Sequence, residues 1–264
     1  MYAFTLERPQ ALADVQKAVA AGGKPLAGGQ TLLASMKLRL SAHEQLVDLG
    51  ACAELRGIRR EGDALVIGAM ARHAEVGASD LVRSAYPALA DLASRIGDRQ
   101  VRQMGTIGGS VANNDPAACY PSAVLASGAT VQTTKREIAA DDFFQGLFTT
   151  ALEEGELITA IRFPLPQQAA YEKLRQKASH FPLVGVFVAR FAGNGVRVAI
   201  TGAGNGVFRH AGLEAALSNS FTPEAAAGVA IDDSGLNSDL HATAAYRAHL
   251  IGVLAQRAVT KALG

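Results

Sequence analysis

The sequence reads Ala27-Gly28-Gly29-Gln30-Thr31 near its beginning and Thr106-Ile107-Gly108-Gly109-Ser110 further along. In both segments, which we call the first and second glycine stretches, adjacent glycines precede a side chain that forms hydrogen bonds. Glycine has no Cβ and tolerates positive φ, so consecutive main-chain N–H groups can turn toward a phosphate at close range. A following helix adds a favourable dipole. Two such loops, converging on one dinucleotide, suit the two phosphates of its pyrophosphate bridge.

A glycine pair is weak evidence on its own. The pair Gly22-Gly23 is interpreted as a helix stop, which is the more common use. The standard nucleotide fingerprints are missing from the sequence: Lys24 precedes Pro25 and forms no P-loop. Gly202-Ala203-Gly204-Asn205-Gly206 has Val207 in the place of the third glycine. Helices are predicted after it instead of the second parallel strand that a Rossmann unit needs.

Hydrophobic periodicity predicts alternating helices and strands in the first part of the chain. Helices are predicted at Ala11–Ala21, at Leu32–Leu40, over Arg72–Gly97 as two helices divided near Pro87, and at Pro121–Ser127. Strands are predicted before Pro9 and at Lys24–Ala27, Gln45–Leu49, Ala64–Ala69, Ala129–Thr134 and Glu156–Phe163. The segment Gly105–Ala112 is predicted to be a glycine-rich loop.

A proline-rich segment, Pro164–Gln168, is predicted to be a linker. After it, strands are predicted at Tyr171–Gln176, Val184–Phe191 and Val196–Thr201, with Gly193-Asn194-Gly195 as a hairpin turn. Helices are predicted from His210 onward, most strongly over Leu240–Leu263. The sequence therefore predicts an α+β fold in two domains, residues 1–166 and 169–264.

The composition is that of an ordinary globular protein, with 49% hydrophobic and 19% charged residues among 264 and a net charge of +1. Basic residues do not cluster, so nucleic acid is not an expected partner. The beginning lacks the features of a secretory signal, and no apolar run approaches the ~18 residues of a membrane span. We expect a cytoplasmic protein without membrane insertion.

The residue types that carry metal or acid–base chemistry form no site that can be identified. The six histidines are scattered, so no metal site is predicted. His73 is interpreted as a surface residue at a helix start rather than a neighbour of a cofactor. Two cysteines, Cys52 and Cys119, cannot supply the four thiolates that an iron–sulfur cluster usually takes. Any such cluster must belong to another polypeptide.

The two glycine stretches, taken with their surroundings, resemble the flavoprotein, or medium, subunits of the molybdenum hydroxylases. This family includes carbon monoxide dehydrogenase and bacterial enzymes of the xanthine dehydrogenase type. The resemblance covers nearly the whole chain. It is carried by Ala27–Leu33, Met36–Arg39, Val101-Arg102, Gly105–Asn113, Asp115-Pro116-Ala117 and Tyr171–Leu174.

The resemblance implies an FAD-binding domain of two α+β subdomains, similar to the vanillyl-alcohol-oxidase type, followed by a small α+β C-terminal domain. It implies that the first and second glycine stretches hold the pyrophosphate and neighbouring parts of FAD. It also implies that the apolar Ile158 lies near the cofactor. Gln176 and Lys177 lie in a segment similar to the flavin-edge region; the resemblance does not choose between the two, and Lys177 is carried as the candidate contact.

One position departs from the family pattern. Relatives often have aspartate where this chain has Cys119, and that acid contacts FAD. A thiol is a weaker acceptor than a carboxylate, so Cys119 is a weaker FAD contact, or Asp115 or a water takes over that contact. The alternative, that Cys119 packs as a small apolar residue, is favoured.

The resemblance implies an oxidoreductase subunit that performs no substrate chemistry and has no catalytic side chain of its own. A large partner subunit would hold the molybdenum cofactor and a small one two [2Fe-2S] clusters, in a dimer of heterotrimers. FAD would pass the electrons to NAD, a quinone or another carrier. The alternatives are a stand-alone flavin oxidoreductase, for which the part after the linker is small, and a non-redox assembly subunit with vestigial glycine loops.

Overall fold

The computed structural model describes the main chain of residues 1–264 and every side chain except that of Asn194. The first sheet is parallel, in the order β1-β3-β2. It consists of β1 (Thr5–Glu7), β2 (Lys24–Leu26) and β3 (Gln45–Asp48), connected by the helices α1 (Leu12–Ala20) and α2 (Leu32–Lys37). Parallel neighbours need crossover connections. The first glycine stretch lies in the second crossover, between β2 and α2.

The second sheet is antiparallel, in the order β4-β5-β10-β6-β7. Its strands are β4 (Ile58–Glu61), β5 (Ala64–Gly68), β6 (Thr130–Thr133), β7 (Glu137–Ala139) and β10 (Ile158–Pro164). Between β5 and β6 come the helices α3 (His73–Ala78), α4 (Asp80–Ala85), α5 (Pro87–Ser94), α6 (Arg99–Met104), α7 (Ile107–Asn113) and α8 (Tyr120–Ala126). Helix α9 (Ala140–Phe143) and a hairpin of β8 (Phe144–Gly146) and β9 (Thr149–Thr150) lie between β7 and β10.

The third sheet is antiparallel and is covered on both faces. It consists of β11 (Gln168–Arg175), β12 (Pro182–Arg190), β13 (Val196–Thr201) and β14 (Phe208–Arg209), followed by the helices α10 (Ala211–Asn219), α11 (Pro223–Ala227) and α12 (Ala244–Leu263). Tyr171 and Phe187 on one face share a core with α5 and α8, whereas Val186 and Val188 on the other pack against α10 to α12. None of the helices in the described residues is both long and apolar enough to cross a membrane.

The α+β class is confirmed, and β13 has the bounds that the sequence predicts. Two predictions about the segment before α8 are wrong. Residues 72–97 contain three helices, because Ser79 caps α4 with its hydroxyl and Pro87 then starts α5. The segment 105–112 is not a loop. Most of it is the helix α7, whose N-cap Thr106 accepts a hydrogen bond from the Gly109 N–H.

The predicted C-terminal helix begins at Ala244, capped by the Thr243 hydroxyl, rather than at Leu240. Its Arg247 side chain is 3% exposed. The guanidinium donates to the carbonyl oxygens of Leu183 at 2.8 Å and Gly202 at 2.6 Å, and to both carboxylate oxygens of Asp239 at 2.9 and 2.8 Å. One side chain therefore fastens α12 to the ends of β12 and β13.

Replacing this arginine should weaken the C-terminal part of the molecule. In Arg247→Met, two buried carbonyl oxygens lose their donor, so we expect the free energy of unfolding to fall by about 2–4 kcal/mol. Arg257→Met is the matched control, because Arg257 is exposed on the same helix and should change stability by less than about 0.5 kcal/mol. Urea denaturation measures both. Equal midpoints for the two variants would contradict this role.

Candidate functional site

A cavity of about 960 Å³ is walled by both glycine stretches and by the turn that precedes β10. Its volume is in the range of pockets that hold cofactors. Most of the residues that the sequence analysis assigned to the cofactor line it, namely Ala27, Gly28, Gly29, Gln30, Thr31, Thr106, Gly108, Gly109, Ser110, Asp115 and Ile158. Three do not. Ile107 and Cys119 are buried in the core, and Lys177 is exposed.

The first glycine stretch is packed at main-chain distance against the two residues before the second stretch, and the second stretch is packed against Ala69. A Cβ on Gly28 would overlap the carbonyl oxygen of Met104 and lie 2.7 Å from the Gly105 Cα. A Cβ on Gly108 would lie 2.5 Å from the Ala69 Cβ. The sequence analysis attributed these glycines to the close approach of a phosphate. The structure gives a different reason at Gly28 and Gly108, since protein atoms occupy the space that a side chain would need.

The second glycine stretch uses its main-chain donors within the protein. The N–H groups of Ile107 and Gly108 donate to the carbonyl oxygens of Ala71 and Ala69 at 3.0 and 2.8 Å. The Gly109 N–H donates to the Thr106 hydroxyl oxygen at 3.1 Å. These donors are not free for a phosphate, contrary to the expectation from the sequence. Ser110, whose hydroxyl has no partner in the described part of the chain, still offers a donor on the cavity wall.

The first glycine stretch has main-chain donors to spare. Gly29 has a φ of +70°, in the left-handed region. Among the described residues, no acceptor bonds to the main-chain N–H groups of Gly28, Gly29, Gln30 and Thr31. The side-chain amide of Gln30 donates to the Gly28 carbonyl oxygen at 3.0 Å. Main-chain donors at a protein surface need water or a ligand as a partner. The arrangement fits an anion with several acceptor oxygens.

Residues 69–73, directly after β5, hold the second glycine stretch in place. Arg72 forms an isolated antiparallel bridge with Thr106. The His73 N–H donates to the Gly105 carbonyl oxygen at 2.9 Å. Together with the bonds from Ile107 and Gly108, this pairing fixes the start of α7 to the end of a sheet strand. The wall of the cavity is therefore set by main-chain contacts.

His73 is the first residue of α3, as the sequence predicts, but it is not on the surface. It is 5% exposed and lines the cavity. Burial, and secondly the charge of Arg102, lower its pKa to about 4, so the imidazole is neutral at pH 7. One feature of the sequence indicates this burial. His73 follows the apolar segment 64–71 almost directly, so α3 begins inside the core.

Cys119 contacts Lys173, a residue that the sequence analysis did not assign to the site. Its Sγ lies 3.5 Å from the Lys173 Nζ, which also donates to the carbonyl oxygens of Arg95 and His180 at 2.9 Å each. Lys173 is on the same face of β11 as buried Tyr171, because side chains alternate along a strand. Neither Cys119 nor Lys173 is among the residues that line the cavity.

Glu156 forms hydrogen bonds within and around the acidic turn, residues 152–157, that also lines the cavity. Its carboxylate accepts hydrogen bonds from Arg136 at 3.2 Å, from the Glu153 N–H at 2.8 Å and from the Thr133 hydroxyl at 2.6 Å. Burial favours a raised pKa for Glu156, but these donors and the charge of Arg136 outweigh it and lower the pKa to about 2.

A carboxylate with a lowered pKa stabilises the fold above its ordinary pKa of 4.5, and this contribution is lost as the pH falls through about 2. We expect Glu156→Gln to be less stable than the native protein at pH 7, with the difference narrowing below pH 4.5. Urea midpoints between pH 7 and pH 3 measure it. Glu154→Gln, an exposed change in the same turn, is the control. A difference that does not vary with pH would contradict the assignment.

Residues 2–166 match the family described as the FAD binding domain in molybdopterin dehydrogenase. The chain is 36% identical to the carbon monoxide dehydrogenase medium chain of Afipia carboxidovorans, over 98% of this chain and 96% of the relative. It is 39% identical to the medium chain of Hydrogenophaga pseudoflava, over 90% and 88%.

Among solved structures, a carbon monoxide dehydrogenase of Hydrogenophaga pseudoflava that lacks the Mo-pyranopterin moiety superposes with a TM-score of 0.91 at 34% identity. The match covers 99% of this chain and 98% of the other. The quinoline 2-oxidoreductase of Pseudomonas putida 86 has a TM-score of 0.90 at 27% identity. The chain belongs to the FAD-binding medium subunits of the molybdenum hydroxylases and is an oxidoreductase subunit.

Proposed function

We propose that this chain is the electron-relay subunit of a molybdenum hydroxylase complex, in which a large partner holds the molybdenum cofactor and a small partner holds two [2Fe-2S] clusters. FAD, when bound here, supplies the exchange between single electrons from the clusters and the electron pair required by an external acceptor. The medium-chain names of the relatives support a complex with large and small subunits. We extend this to a cytoplasmic dimer of heterotrimers.

The cavity is the single observation that carries this proposal, because its chemistry suits a dinucleotide. The unpaired N–H groups of the first glycine stretch would bind the pyrophosphate, and the Ser110 hydroxyl is a further donor in the lining of the same cavity. Ile158, which is 6% exposed, would offer an apolar surface to the cofactor. Asp115 keeps one carboxylate oxygen on the Ala117 N–H at 2.8 Å, which holds the side chain in a fixed position on the wall.

The chain's own residues then bind the cofactor, orient it and exclude water from it. The oxidation of the substrate occurs in a partner. Cys52 and Cys119 are buried in separate cores, which supports placing the clusters on another polypeptide.

We also propose the division into two domains, residues 1–166 and 169–264. The end of the family match at residue 166 and the start of the third sheet at Gln168 support it.

Separating the two glycine stretches should release the cofactor. In Gly28→Ala, the new Cβ overlaps the Met104 carbonyl, so the stretches must move apart at a cost of about 1–3 kcal/mol. We expect FAD affinity to fall roughly tenfold or more, measured by equilibrium titration of the flavin-free complex. Gly235→Ala is the control, because its Cβ meets nothing within 4 Å. Equal affinities would reject this site.

Purification of the native complex tests the proposed relay. We expect the chain to copurify with a molybdenum subunit and an iron–sulfur subunit, and to show flavin absorption near roughly 450 nm. The isolated chain should bind FAD yet oxidise neither aldehydes nor purines. Robust turnover by the chain alone would favour a stand-alone oxidoreductase. A colourless chain that does not take up added FAD would favour an assembly subunit.

A further inference from the structure

A neutral histidine lies where the two glycine stretches meet, and its ring lacks hydrogen-bond partners. In the described part of the chain, neither ring nitrogen of His73 has a partner, and Nδ1 is fully enclosed. A neutral imidazole carries one donor and one acceptor. A polar nitrogen that is buried without a partner is costly and therefore uncommon in folded proteins. Because Nδ1 is enclosed, a bound group can supply a partner to Nε2 only.

The other ring nitrogen, Nε2, lies at the cavity wall beside Gly105. A Cβ on Gly105 would come within 2.5 Å of Nε2, so the absence of a side chain there leaves room for the ring. Gly105 is also the residue that abuts Gly28 of the first glycine stretch. His73 Nε2 therefore lies beside the residue that Gly28 touches, in the same cavity that the unpaired N–H groups line.

The surroundings of the ring favour an anion as the missing partner. The unpaired N–H groups of the first glycine stretch and the Ser110 hydroxyl are all donors. Arg102, whose guanidinium is held by the carbonyl oxygens of Ile96 and Gly97 at 3.0 Å each, adds positive charge near the ring. An acceptor-rich ligand satisfies these donors together, whereas a further donor would not.

We propose that His73 is a cofactor-binding residue whose Nε2–H donates a hydrogen bond to a phosphate oxygen of the pyrophosphate ester held between the glycine stretches. This rests on the proposed function, because the pyrophosphate is that of FAD. The enclosed Nδ1 then carries the lone pair, which has no hydrogen-bond partner in the described residues; the centroids of the His73 and Tyr120 rings are 5.3 Å apart. The low pKa of His73, due to burial and Arg102, agrees with a single proton on the ring.

A pair of variants of similar size tests this contact in the complex stripped of flavin. His73→Gln keeps an N–H donor at about the position of Nε2, whereas His73→Met fills similar space without a donor. Affinities are measured for FAD, for ADP, which keeps the pyrophosphate, and for riboflavin, which lacks it. His249→Phe, an exposed change on α12, is the control.

We expect His73→Met to weaken FAD and ADP binding about tenfold and to leave riboflavin binding within about twofold. His73→Gln should stay within about threefold of the native protein for all three ligands. The inference is overturned if Met and Gln variants bind FAD equally, or if riboflavin weakens as much as FAD, which is the result of a purely structural role. If the native complex itself binds no FAD, the proposed function fails instead.

Discussion

Gly28 and the Met104–Gly105 peptide approach each other so closely that a Cβ has no space between them. The rest of the site depends on this contact, because it joins a crossover of the parallel sheet to the helices that lie between β5 and β6 of the antiparallel sheet. It lets two segments distant in sequence form one wall. It also leaves the N–H groups of the first stretch facing the cavity, since the second stretch bonds elsewhere.

The second stretch is held in place because β5 continues into residues 69–73. These residues accept hydrogen bonds from the start of α7 and donate one to the Gly105 carbonyl oxygen just before it. A sheet strand thus determines where a helix begins, and the helix determines one side of the cavity. The second stretch therefore forms a wall whose position is set by main-chain hydrogen bonds before any ligand binds. The two stretches therefore have different roles. The first has main-chain donors free for a ligand, and the second fixes the position of the cavity wall.

Much of this was readable from the sequence. Apolar runs predicted most of the strands, and the first glycine stretch stands before residues with helical spacing. The helix at 107–113 was missed because glycine lowers helix propensity, while its stability comes from the Thr106 cap and from tertiary bonds to Ala69 and Ala71. The burial of His73 was missed for a similar reason, because a polar residue at a helix start is usually exposed. Both errors concern residues whose conformation is determined by partners far along the chain.

The position of Cys119 shows how a single substitution changes a site without changing the fold. Lys173 is held there by two carbonyl oxygens and a sulfur, and within the described residues no carboxylate pairs with it. An aspartate at this position would place a negative charge within reach of the ammonium group. With cysteine, the direct partners of the Lys173 ammonium group in the described residues are all uncharged. Because neither Cys119 nor Lys173 lines the cavity, the exchange changes the charge balance in the core beside the site rather than at the cavity wall itself.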